Sequence, residues 1–176
     1  FGSTTYQWSQ MPNSVTTQND AVATLMYHCG VSLETDYGPG GSGALSPKDG
    51  LVKYFNYSSN ARMITKNGFT TSEWINLLKS ELDLKRPIWF SEIFSAGHSF
   101  ICDGYQDEDY FHFNWGWGGR YDGYFYIGDL NPRGIDMNEF QLAVINIFPK
   151  TLPNSYKGFF LSANVVDIVA KGGTAS

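Results

Sequence analysis

Cysteine is scarce in this sequence: two residues in 176. Two cysteines cannot build a disulfide framework, and the redox compartment is unreadable from them. Charge is thin and leans acidic, with 17 Asp and Glu against 12 Lys and Arg, a formal net charge of −5. Binding phosphates needs a concentrated basic patch, so nucleic acid is excluded as the main partner. No apolar run approaches the roughly 20 residues of a membrane-spanning helix, which excludes a membrane span. Repeats and low-complexity tracts are absent. The opening FGSTTYQWSQ has no starting Met and no signal-peptide pattern, so a processed or trimmed product is expected.

What the chain does hold is rings and glycine: 13 Phe, 11 Tyr, 5 Trp and 19 Gly, with 42% hydrophobic residues. That composition describes one globular domain's worth of chain with a sizeable core. It suits a β-rich fold with tight turns and a ring-lined groove.

Helices are expected first. TTQNDAVATLMYHCG carries Val22, Leu25, Met26 and Cys29 on one stripe, with Asn19 or Asp20 as cap and Gly30 as stop. SPKDGLVKYF opens with Ser46 as cap, Pro47 in the first turn and Asp49 in a capping-box position. TTSEWINLLKSELDLK places Trp74, Ile75, Leu78 and Leu82 on one face. The pattern then changes. RPIWFSEI, HSFICDGY, DYFHFNW, GYFYIGD and QLAVINIF are short, ring-rich and β-branched, and Gly, Asp or Asn turns separate them. Helices followed by consecutive strands predict an α+β fold with an antiparallel sheet. From Pro149 onward a linker and one or two further strands are expected.

His98 is the first candidate for chemistry. It stands at a strand start, where Gly97 leaves room for a substrate backbone, and it could serve as general base. A lone histidine is more often a packed structural one. Asn114 lies 16 residues on, at the end of the next strand, where a hairpin could bring its amide to the His98 ring and fix the tautomer. The plainer reading is an Asn serving its turn. Trp115 and Trp117 could wall the pair from water and shape subsites, or simply pack. His28, near a helix end, and His112, alternating with Phe111 and Phe113, have no ligand-spaced partners and read as structural, so no metal site and no cofactor are expected. TDYGPGGSGAL has no Gly-Lys-Ser/Thr and is no phosphate loop. It reads as a groove wall for an extended peptide or, on its glycine count, as a long surface turn.

One stretch decides between these readings. GHSFICDGYQDEDYFHFNWGWGGRYDGYFYIGDLNP resembles the catalytic-histidine region of the streptopain family of cysteine peptidases, which includes interpain-like enzymes. AVATLMYHCGVSLETDYGPGGSGA and the preceding Tyr6-Gln7-Trp8 resemble that family's helix, loop and lead-in, so the likeness runs in order from Tyr6 to Pro149. The resemblance implies a papain-like fold, incomplete in this chain, and peptide-bond hydrolysis through a thiol ester. It implies His98 as the catalytic histidine, with Asn114 and Trp115 beside it. It places Gly43 and Gly97 where a peptide or protein substrate binds, and it implies secretion.

The family's nucleophile is a cysteine at a helix N-terminus, where the dipole lowers the thiol pKa. Neither cysteine here fits. Cys102 lies roughly 13 Å from His98 along the same strand, and Cys29 sits in the last turn of its helix. Both read as small buried hydrophobes. Ala21, in AVATLM, mimics the family's Cys-Val-Ala-Thr at a helix start and could be that nucleophile replaced by alanine. The Tyr6-Gln7-Trp8 and Asp36-Tyr37-Gly38-Pro39 segments around it assign that helix to a later part of the fold. The nucleophile is therefore expected on an N-terminal fragment of the same precursor, with residues 1–149 as the histidine-bearing part of the catalytic domain and 150–176 as an extension or linker. Two alternatives stay open: a catalytically silent carbohydrate- or peptide-binding module, and a self-sufficient Cys29–His98 enzyme.

Overall fold

A computed structural model describes residues 2–93 and 97–151 of the chain. Among these residues the helices come first: α1 (Asp20–Ser32), α2 (Pro47–Tyr54) and α3 (Thr71–Asp83). Between and after them run β1 (Asp36–Gly38), β2 (Gly41–Gly43), β3 (Arg62–Thr65), β4 (Ile88–Glu92), β5 (His98–Gln106), β6 (Tyr110–Asn114), β7 (Gly123–Tyr126) and β8 (Gln141–Ile145). The class is α+β, as the order of the sequence patterns predicts. The strands expected beyond residue 151 lie outside the described residues.

Local chemistry starts the helices. The Asn19 side chain accepts from Val22 N at 2.9 Å and opens α1, with Asp20 in the first turn complementing the dipole. Gly30 does not stop α1: the helix continues to Ser32, and Gly30 is a buried position where a Cβ would collide with the Tyr37 ring. Thr70 and Glu73 close a full capping box on α3. At α2 Ser46 holds the cap position but its side chain makes no cap bond. Asp49 pairs with Lys48 at 2.7 Å rather than closing a capping box.

Strands β3-β8-β4-β5-β6-β7 form one sheet in that order, antiparallel throughout. Alternation decides its faces. Ile88, Phe90 and Glu92 of β4, Phe100 and Cys102 of β5, and Phe111 and Phe113 of β6 turn to one side. There they meet Trp74, Leu78 and Leu82 of α3, the apolar face read from the sequence. The opposite face carries Trp89 and Val144, packed on Tyr57, Ile147, Leu51 and Phe55. Beside that second cluster an apolar cavity of about 600 Å³ opens between the sheet and α1, lined by Tyr6, Leu25, Cys29, Trp89 and Ile101 among others. The glycine-rich stretch forms the short β1–β2 hairpin, with Asp36 opposite Gly43.

Candidate active site

His98 begins β5 on the core side of the sheet, at the end where that core opens to solvent. Its ring is half-buried, flanked by Phe100 at 6.1 Å and stacked on Trp117 at 4.9 Å between centroids. Gly97 precedes it at φ +56, a left-handed conformation that glycine adopts without strain. The Gly97 N–H donates to the Glu92 carboxylate at 3.3 Å. Glu92 is fully buried and directly opposite His98 in the β4–β5 ladder. In the next row across, Gln141 faces Glu92 and donates its amide to Met137 O at 2.9 Å. A polar row, Gln141–Glu92–His98, thus ends an otherwise apolar face.

The second half of the site is the turn from β6 to β7. It begins at Asn114 and Trp115 and reverses through Gly116 at φ +74. Trp115 buries its indole completely, against Phe100 at 4.5 Å and Phe113 at 5.2 Å. With the ring anchored inward, its carbonyl oxygen lies 2.7 Å from His98 Nε2. A carbonyl only accepts, so Nε2 carries a hydrogen, and in the neutral ring Nδ1 then keeps its lone pair. That tautomer is what a general base needs.

Asn114 does not reach the ring by the bond expected of it. Its Oδ1 accepts from Gly116 N at 3.0 Å, the turn-serving bond, and the group on His98 Nε2 is the Trp115 main chain. His98, Asn114, Trp115 and Trp117 are nonetheless brought together at one end of the sheet, with Gly97 beside them. Gly43 is exposed in the β1–β2 hairpin, whose ties run to α1: Tyr37 packs on Gly30, and Leu45 N donates to Leu33 O at 2.8 Å.

Three carboxylate features escaped the sequence patterns. Glu92 was legible in principle, because Ile88, Phe90 and Glu92 alternate onto one buried face, where a charge is unexpected. Asp122 closes the turn by accepting from Trp115 N at 2.9 Å. Asp103 pairs with His112 Nδ1 at 2.5 Å. The β5 bulge between Cys102 and Gly104 permits that pairing. The hydrogen bond to Asp103 raises the His112 pKa against the opposing pull of burial. Burial raises that of Asp122, partly offset by the Trp115 N–H and by His112. His28 donates to or accepts from Tyr6 Oη at 3.0 Å within α1's packing.

The two thiols are poor nucleophiles. Burial pushes the Cys29 thiol up to about 11. Cys102 is fully buried and its thiol is held well above the ordinary value, by burial first and by Asp103 second. Cys29 also lines the cavity on the opposite side of the sheet from His98.

The profile of the peptidase C10 family matches residues 1–125, which include Glu92, Gly97, His98, Asn114, Trp115, Trp117 and Asp122. The chain belongs to the peptidase C10 family. Among the relatives of this C10 chain, the thiol protease/hemagglutinin PrtT of Porphyromonas gingivalis is 36% identical over 143 residues, 77% of the chain and 16% of PrtT. Streptopain of Streptococcus pyogenes is 32% identical over 142 residues, 75% of the chain and 36% of streptopain. The active wild-type interpain A cysteine protease of Prevotella intermedia superposes with a TM-score of 0.75 at 36% identity, covering 83% of this chain and 65% of that one. A prointerpain A fragment gives 0.70 at 34% identity, covering 86% and 51%. The C10 chain thus has the fold of a cysteine protease and spans about a third or less of its curated relatives.

Proposed function

We propose that this chain supplies the catalytic histidine and substrate-groove loops of a secreted cysteine endopeptidase whose nucleophile is carried by an N-terminal fragment of the same precursor. The observation that carries the reading is the 2.7 Å contact between His98 Nε2 and the Trp115 carbonyl, which commits Nε2–H and leaves Nδ1 of the neutral ring its lone pair. In this reading Nδ1 takes the proton of the incoming thiol. The thiolate attacks the substrate carbonyl carbon, and the imidazolium returns the proton to the departing amine as the C–N bond breaks. Water, deprotonated by the same Nδ1, then attacks the thiol ester and releases the acid and the thiol.

Trp115 aims the ring, and Trp117 covers it and excludes water from one side. Gly97 and Gly43 offer bare backbone to an extended peptide substrate. Residues 1–149 make up this histidine-bearing part, and 150–176 are an extension or linker. The high thiol pKa of Cys29 and the burial of Cys102 support placing the nucleophile elsewhere, as does the 65% share of interpain A that the chain spans.

The test is complementation. Peptide hydrolysis should need both this chain and the cysteine-bearing segment and should vanish in His98→Ala. Turnover by the 176-residue chain alone, unaffected by alkylation of Cys29 and Cys102, would overturn the reading. Tyr110, Tyr124 and Tyr126 form an exposed ring surface on β6 and β7, which favours a silent binding module as the second reading. Intact mass of the purified protein separates the two: a co-purifying cysteine-bearing fragment belongs to the peptidase, and its absence to the module.

A further inference from the structure

The two amide units that flank Trp115 are both held. The unit before it gives its N–H, on Trp115, to Asp122 Oδ1 at 2.9 Å. The unit after it gives its N–H, on Gly116, to Asn114 Oδ1 at 3.0 Å. That second unit also owns the carbonyl facing His98 Nε2. Peptide units are planar, so only φ and ψ of Trp115 relate the two. Fixing both units fixes both angles, and with them the direction of the carbonyl.

We propose that Asn114 and Asp122 are positioning residues that clamp the Trp115 carbonyl onto the His98 ring. The inference rests on reading His98 as the base, and it extends the site by a residue, Asp122, from the far side of the turn. The two side chains act differently. Asp122 sets the angle of approach. Asn114 also polarises: an amide whose N–H is engaged has a more negative carbonyl oxygen and a stronger hold on Nε2–H. The chain Asn114 Oδ1 to Gly116 N–H to Trp115 C=O to His98 is continuous. Asn114 is 7% exposed, so water competes little for its amide. Asp122 faces His112, and behind it Asp103, charges that the tests leave in place.

A residue that merely closed a turn would leave the imidazole tautomer alone, which makes the tautomer the readout. Long-range 15N NMR on the 176-residue chain, at a pH where the ring is neutral, measures the Nε2–H to Nδ1–H ratio of His98. Asn114→Ala should lower that ratio about threefold to tenfold, the value of one hydrogen bond. Asn114→Asp, which keeps an acceptor at the same place, should restore it. Asp122→Ala should lower it independently, and Asp122→Asn should restore it. If Asn114→Ala fails to fold, the Asp122 pair decides.

Unchanged ratios in folded alanine variants overturn the clamp, and so does an Asn114→Asp ratio as low as that of Asn114→Ala. In the peptidase assembled with its cysteine segment, Asn114→Ala should lower kcat while KM stays within about twofold. A rise in KM alone counts against the clamp. No turnover in the wild-type assembly, with the ratios moving as stated, removes the peptidase reading and leaves the clamp standing.

Discussion

Glu92 and His98 are directly opposed across the β4–β5 ladder, on the same face, with the carboxylate wholly buried and the imidazole half open. A buried carboxylate is retained only where it has donors to satisfy it, and the Gly97 N–H is one. Glu92 therefore ties down the approach to the histidine. Glu92→Ala should cost about 1–3 kcal/mol in urea unfolding, the penalty for stranding a buried polar group. Glu92→Gln, which still offers an acceptor to Gly97, should cost clearly less. Equal losses would show that charge, not the acceptor, is what matters there.

The Asp103–His112 pair sets a pH dependence of stability. Its folded pKa lies above the ordinary 6.5, chiefly through the Asp103 hydrogen bond. A group raised on folding binds its proton more tightly in the native state. Its contribution is thus fully present below about pH 6.5 and fades as the pH rises through the higher folded value. The urea midpoint of wild type minus that of His112→Gln should be largest near pH 6 and shrink toward pH 8.5. A difference that grows with pH would contradict the pairing.

With its thiol near 11, Cys29 should hold about a hundredfold less thiolate at neutral pH than an unperturbed cysteine. Alkylation of the native chain should be correspondingly slow, rise steeply with pH, and reach Cys102 only on unfolding. Mass spectrometry of partially labelled protein gives the order. Fast labelling of Cys29 at pH 7 would revive it as a nucleophile.

Thr70 caps α3 with both halves of a capping box, and α3 supplies the Trp74 and Leu78 floor beneath the sheet. Thr70→Ala should therefore lower stability by about 1 kcal/mol without changing the His98 environment. Chemical denaturation and the His98 ring NMR signals check the two halves of that statement.

Periodicity made α1, α3 and five of the strands readable, and the Ser46-Pro47 start signal marked α2. It failed where residues lack a buried face. Strand β3, the edge of the sheet, is almost wholly exposed, so no alternation marks it, and β1 and β2 lie in glycine-rich chain where conformation has no side-chain signature. Gly30 looked like a stop because glycine so often ends helices, yet Tyr37 needs its bare surface. At the site, what was legible was placement: His98 at a strand start after Gly97, and Asn114 at the end of the next strand. The group on the ring was not, because a main-chain carbonyl has no letter of its own. The partnership of Asp103 with His112 depends on a bulge that no local pattern announces.

The indole of Trp117 lies almost flat on His98, 24° from parallel. A protonated imidazole quenches a neighbouring indole's emission and is itself attracted to the ring face. The protein therefore contains its own optical gauge: subtracting the fluorescence of a Trp117→Phe variant from that of the parent isolates one lamp whose brightness follows the charge on a single histidine.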